Sequence, residues 1–191
     1  MRRFLLSALL AAAAPACQPA EDLDPIGAVA DFELTDQDGQ PFTRADLDGA
    51  VWVVDFFFTR CPSICPHMTQ AMKEIGERFP GEAELKRISI TIDPGFDQPA
   101  ALKAYADRLE LPQQGWRFLT GAREDIAELS LESFKLAFGD EMDAEGNILH
   151  SSRFVLVDRR GLVRGYYDGL DESLRPRMDR AIRTLLDEPA G

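Results

Sequence analysis

Cys61 and Cys65 stand four residues apart in Cys61-Pro62-Ser63-Ile64-Cys65-Pro66, where an apolar strand should hand over to a helix. With three cysteines in 191 residues, the pair has no other obvious partner. At a helix N-terminus the unpaired N–H groups and the positive end of the helix dipole stabilise a thiolate, the form that attacks disulfides and binds metals. A plain stabilising disulfide is the competing reading. By chain entropy, closing so small a loop contributes only roughly 2 kcal/mol, against about 4.7 for a hundred-residue loop. Asp55 adds a further titratable group six residues before Cys61. It interrupts an apolar strand, and an isolated buried carboxylate is costly unless paired or protonated.

Several elements must position these groups. Val51 to Phe58 is rich in β-branched and aromatic residues, the pattern of a strand buried on both faces. Pro66 suits the first helical turn, and Met68, Met72, Ile75 and Phe79 follow at the spacing of an apolar helix face, predicting a helix from about Pro66 to Phe79. That spacing suits a core face better than a set of thioether ligands. A second strand, Leu85 to Ile92, leads through Asp93 and Asp97 into a helix from about Gln98 to Leu109; their place after a strand end could bring a carboxylate close to the thiols, though such residues are more often turn formers and caps. A short strand at Trp116 to Leu119 and a helix from Arg123 to about Ser133 follow. Ile148 to Val157 and Leu162 to Tyr167 bracket Asp158-Arg159-Arg160-Gly161 as a β-hairpin, and Asp171 to Leu186 closes the chain as a helix. Ahead of all this, Asp31 to Leu34 and Gln40 to Phe42 flank the turn Thr35-Asp36-Gln37-Asp38-Gly39, an N-terminal β-hairpin addition. The order implies an α/β fold, a central mixed sheet with helices on both faces.

The cysteine pair, the helix N-terminus and the βαβ start together resemble the thioredoxin superfamily. The three-residue spacer is similar to that of the Sco/SenC family of copper-binding cytochrome c oxidase assembly proteins. The resemblance spans roughly Asp31 to Leu186. It is carried by Thr59-Arg60-Cys61-Pro62-Ser63-Ile64-Cys65-Pro66, Leu34-Thr35-Asp36-Gln37-Asp38-Gly39, Asp55-Phe56-Phe57-Phe58-Thr59, Asp93-Pro94, and His150 before Phe154-Val155-Leu156-Val157-Asp158. It implies a thioredoxin-like fold and one copper ion, Cu(I) or Cu(II), held by Cys61, Cys65 and His150. Thiolates are soft ligands suited to Cu(I), and an added imidazole lets such a site hold Cu(II) as well.

Of the two histidines, His67 lies in the first turn of the helix, from which its ring would point away from a metal on both thiols. The resemblance also makes Cys61 and Cys65 a redox-active pair. Thioredoxins carry an aspartate at the place of Asp55, where it moves a proton to the buried thiol. Disulfide exchangers of that superfamily place a proline opposite the thiols, whereas Glu145 to Asp158 holds none. Copper delivery to the CuA centre of cytochrome c oxidase is thus the leading expectation. Thiol-disulfide exchange on the acceptor's cysteines is the alternative. The implied partners are cytochrome c oxidase subunit II or another copper acceptor, and a thiol reductant.

Met1 to Ala16 reads as a secretory signal: Arg2-Arg3, a short apolar run, then small residues. Ala14-Pro15-Ala16 fits ordinary cleavage, while Cys17 after a small residue resembles a bacterial lipoprotein site, with Pro15 departing from that pattern. A lipidated Cys17 would account for the lone third cysteine and would be the only membrane anchor. Residues 17–30 read as a flexible tether and 31–191 as the folded domain. The expected location is the bacterial periplasm or cell envelope, an oxidising setting in which a metal-binding thiol pair must be kept reduced. Removing residues 1–16 takes two arginines and no acid, moving the formal charge from −12 to −14. No basic cluster offers a footprint for nucleic acid, so none is expected as a partner.

Overall fold

A computed structural model describes residues 23–81 and 83–189. Among these, the elements run β1 (Gly27–Ala28), β2 (Glu33–Asp36), β3 (Pro41–Thr43), β4 (Val51–Phe57), α1 (Cys65–Arg78), β5 (Leu85–Thr91), α2 (Pro99–Arg108), β6 (Trp116–Thr120), α3 (Arg123–Glu128), β7 (Arg153–Val157), β8 (Leu162–Asp168) and α4 (Arg175–Asp187). One sheet holds all eight strands in the order β1-β8-β7-β4-β5-β6-β2-β3. Its centre, β4-β5-β6, is parallel, with α1 and α2 as the crossovers, and β7, β8 and β2 are antiparallel additions.

Every residue of β4 is buried, as a central strand covered on both faces requires. Side chains alternate between the faces. Trp52 and Phe56 meet the Phe134 ring edge-on, with centroids 6.0 and 5.7 Å away. A π-helical turn, Leu129–Ser133, delivers Phe134 from the end of α3. On the other face Phe57 packs against Tyr105 of α2. The Tyr105 hydroxyl shares a 2.8 Å hydrogen bond with Thr69 of α1, and Arg78 of α1 pairs with Asp179 of α4 at 2.8 Å. The core is therefore a mixed sheet between α1, α2 and α4 on one side and α3 with its π turn on the other.

The N-terminal hairpin forms as β2 and β3. Asp36 accepts from the N–H groups of Asp38 and Gln40, and Gly39 takes φ +75°, a left-handed conformation that glycine adopts at no steric cost. Three boundaries differ from expectation. Of the tether expected over residues 17–30, the described part, residues 23–30, is packed on the domain: Leu23 and Val29 are buried, and Gly27–Ala28 pair with Leu162 and Val163. The strand expected from Ile148 starts at Arg153, because Asp143 accepts from the N–H groups of Glu145 and Asn147 and turns the chain back so that Ile148 bridges Met142. The last helix opens with a 3₁₀ turn, Glu172–Leu174, capped by the Asp171 carboxylate. The signal, Cys17 and residues 17–22 lie outside the described residues.

Candidate metal centre

Strand β4 ends at Phe57, and the three residues after it carry the chain to Cys61. That connection is clamped from the β5–α2 loop. Asp97 is fully buried and accepts from the Thr59 N–H at 3.0 Å, from the Thr59 hydroxyl, and from the Thr91 hydroxyl at 2.6 Å. Burial raises the Asp97 pKa against these three donors. Arg60 pairs with Asp93 at 2.6 Å and stacks over Phe96 at 4.2 Å. Asp97 is thus no helix cap: its carboxylate is committed to the loop bearing the thiols.

Cys61 and Cys65 are both buried and unbridged. Cys65 begins α1, and its N–H points at the Cys61 sulfur at 3.4 Å, as a helix N-terminus should hold a thiolate. Among the described residues, Cys61, Cys65 and His150 form one group whose ligand atoms all lie within 4.8 Å of one another. His150 arrives on the segment between β6 and β7, with Nε2 3.4 Å from the Cys65 sulfur. Its Nδ1 faces the Ser151 carbonyl at 3.0 Å. A carbonyl only accepts, so Nδ1 carries the proton and Nε2 presents its lone pair to the thiols. Phe58 backs the imidazole edge-on at 5.9 Å. His67 stays outside the group, exposed, with Nδ1 3.4 Å from the Ser63 carbonyl.

The two thiols titrate as a pair with opposite shifts. The Cys65 thiol donates toward Cys61, which, helped by the Cys65 and Ser63 N–H groups, pulls Cys61 well below the ordinary thiol value against the opposing effect of burial. The same hydrogen bond and burial push Cys65 up. The resting pair is a Cys61 thiolate beside a Cys65 thiol, open to a soft metal or to a disulfide.

Asp55, on the α1 face of β4, is buried with Oδ1 unpartnered. Desolvation raises its pKa to about 6, opposed by hydrogen bonding to Ser89. It is close enough to act electrostatically on Cys65. Met68 and Met72 are wholly buried in the core. Sequence patterning missed the Asp97–Thr59 clamp and a contact from Ser63 to Asn147 at 2.7 Å. Only Asp93 and Asp97, after a strand end, hinted at the clamp.

The SCO1/SenC family model matches residues 21–187. The chain belongs to the SCO1/SenC family. A solved SCO1/SenC family lipoprotein of Bacillus anthracis is 31% identical, with a TM-score of 0.78 over 86% of this chain and 98% of that one. A second structure, BsSco, is described as a Sco family cytochrome c oxidase assembly protein with a disulfide switch; it is also 31% identical, with a TM-score of 0.77 over 87% and 98%. A Stutzerimonas stutzeri protein, provisionally named as copper-binding, is 34% identical over 80% of this chain and 78% of its own. The α/β sheet and helices described above are those of the thioredoxin-like Sco proteins. Among the described residues, no helix is long and apolar enough to cross a membrane.

Proposed function

We propose that Cys61, Cys65 and His150 carry one copper ion as cargo, and that the protein hands it to an acceptor during assembly of the CuA centre of cytochrome c oxidase. The observation that carries this reading is the convergence of two sulfurs and one unprotonated imidazole nitrogen within 4.8 Å. Two thiolates suit Cu(I), and the imidazole adds the harder donor that Cu(II) prefers. Three protein ligands leave a coordination position for an incoming one. Binding displaces the Cys65 proton. Delivery then proceeds by exchange, each acceptor thiolate forming a bond to copper as one of His150, Cys65 and Cys61 leaves, with no change in oxidation state. The copper-binding name of one relative and the oxidase-assembly description of another support this reading.

Titrating the reduced protein with Cu(I) against a chelator, beside Cys61→Ser and His150→Ala, is the test. Weak binding that neither substitution changes would sink the carrier role.

A second reading, thiol-disulfide exchange, is favoured by Asp55. The Cys61 thiolate attacks one sulfur of an acceptor disulfide and expels the other as a thiolate. Cys65, its proton passed to the Asp55 carboxylate, then attacks the Cys61 sulfur and releases the second acceptor thiolate. Two electrons pass to the acceptor, and a Cys61–Cys65 disulfide remains for an external dithiol to reduce. The disulfide switch of BsSco supports this chemistry. A reduction potential well below about −300 mV would mark a structural disulfide and rule the exchange out.

Export and a lipid on Cys17 complete the reading, supported by the lipoprotein description of the Bacillus anthracis relative. The intact mass of the protein extracted from membranes decides it: retention of residues 1–16, or an unmodified Cys17, would end the lipid-anchor proposal.

A further inference from the structure

Ser63 and Asn147 join the two halves of the site. The thiols sit on a loop tied to the sheet by Asp97, Asp93 and Arg60, whereas His150 follows a hairpin spanning residues 139–149 that is folded on itself. The hairpin closes through Gly139 N–H to the Leu149 carbonyl at 2.7 Å, through the Met142–Ile148 bridge, and through the turn on Asp143. Its end at residues 139–140 is held by Arg123. Among the described residues, Ser63 is the only hydrogen-bond partner that residues 141–149 find outside the hairpin. Ile148 packs inward, but Leu149, next to His150, is 81% exposed and anchors nothing.

The polarity of that one bond is set. The Asn147 amide nitrogen faces both oxygens of Asp143 at 3.3 Å, so its carbonyl oxygen must face Ser63 and accept. The Ser63 hydroxyl has one proton. Asn147 Oδ1 lies 2.7 Å away and the Cys61 sulfur 3.7 Å, so the proton goes to the hairpin rather than to the thiolate.

We propose that the Ser63–Asn147 hydrogen bond is a clasp that keeps the histidine-bearing hairpin closed over the thiols, and so sets how readily His150 leaves a bound metal. Both are positioning residues, and their effect on metal rests on the copper reading above. With the clasp open, His150 swings away while both sulfurs stay in place. Because imidazole matters more to Cu(II) than to Cu(I), opening costs Cu(II) more and raises the potential of the copper couple.

The test uses Ser63→Ala, Asn147→Ala and, as rescue, Ser63→Thr, which keeps the hydroxyl. In metal-free protein, hydrogen exchange at residues 141–150 should speed up about three- to ten-fold in both alanine variants, the worth of one net hydrogen bond, and return toward wild type in Ser63→Thr. Cu(II) release to a chelator should quicken by a similar factor, with Cu(I) release changed less. The Cys61–Cys65 potential should stay at the wild-type value, since the hydroxyl does not serve the thiolate. Unchanged exchange and copper release, or a shifted dithiol potential, overturns the clasp. If wild-type protein bound no copper at all, the carrier reading would fall, and the exchange data alone would decide the clasp.

Discussion

His150 separates what the two sulfurs do from what the whole centre does. A Cu(I) ion is satisfied by two thiolates, whereas Cu(II) needs the imidazole. His150→Ala should therefore lower Cu(II) affinity on the order of 100-fold or more, given that losing a mere supporting partner of a ligand costs 10–100-fold. Cu(I) affinity should fall far less, so parallel chelator competitions with the two ions check the difference. His67, exposed and directed at the Ser63 carbonyl, should change neither when replaced by alanine. The thiols stood out in the sequence as a close pair at a helix start and Asp55 as a carboxylate inside an apolar strand, whereas His150 joined them only through the family resemblance. The role of Asp97 was not legible: an aspartate before a helix looks like a cap, and only the arrival of Thr59 from 38 positions earlier reveals a buried acceptor.

At the scale of elements, the β5–α2 loop holds the thiol loop and the hairpin holds the histidine. Removing Asp97 would leave the Thr59 N–H and two hydroxyls without their acceptor in a buried setting. Asp97→Ala should cost about 2–4 kcal/mol in urea unfolding of the metal-free protein, by the penalty for orphaned buried donors. Asp97→Asn keeps an acceptor and sheds a charge that burial already disfavours, so it should cost clearly less. Equal losses in the two variants would mean that the charge, not the hydrogen bonding, holds the loop. The helices and central strands were readable because their periodicities are long and continuous. The segment before β7 misled because Ile148 and Leu149 extend an apolar run, whereas the turn on Asp143, five positions earlier, decides that they belong to a hairpin.

Across the whole molecule, two buried aspartates on β4 and β7–β8 respond to pH in opposite senses. Asp158, at the β7–β8 turn, meets Arg164 at 2.8 Å, and Arg164 also binds Glu188 beyond α4. Burial opposes its charge, but the Leu162 and Arg160 N–H groups and Arg164 outweigh that and lower its pKa. A depressed carboxylate contributes stability that is present above its unfolded value near 3.8 and is lost as pH falls through the folded value. Asp158→Asn should thus destabilise the fold at pH 7, and the deficit should shrink as pH falls through that lowered folded value.

Asp55 carries the opposite sign. Its pKa is raised to about 6, so it favours the fold when protonated and penalises it as pH climbs from about 4 to above 6. A shift from 3.8 to about 6 corresponds to roughly 3 kcal/mol at neutral pH. Asp55→Asn should therefore match wild type in unfolding free energy at pH 4 and exceed it by about that amount at pH 7.5. The same variant should slow the second step of disulfide exchange, the attack by Cys65, if Asp55 takes its proton. A stabilised protein with unimpaired exchange would assign the carboxylate to neither proton transfer nor packing. A stabilised protein with slowed exchange would mean that the chain tolerates a buried, half-partnered acid beside its thiols because the thiol chemistry needs one there.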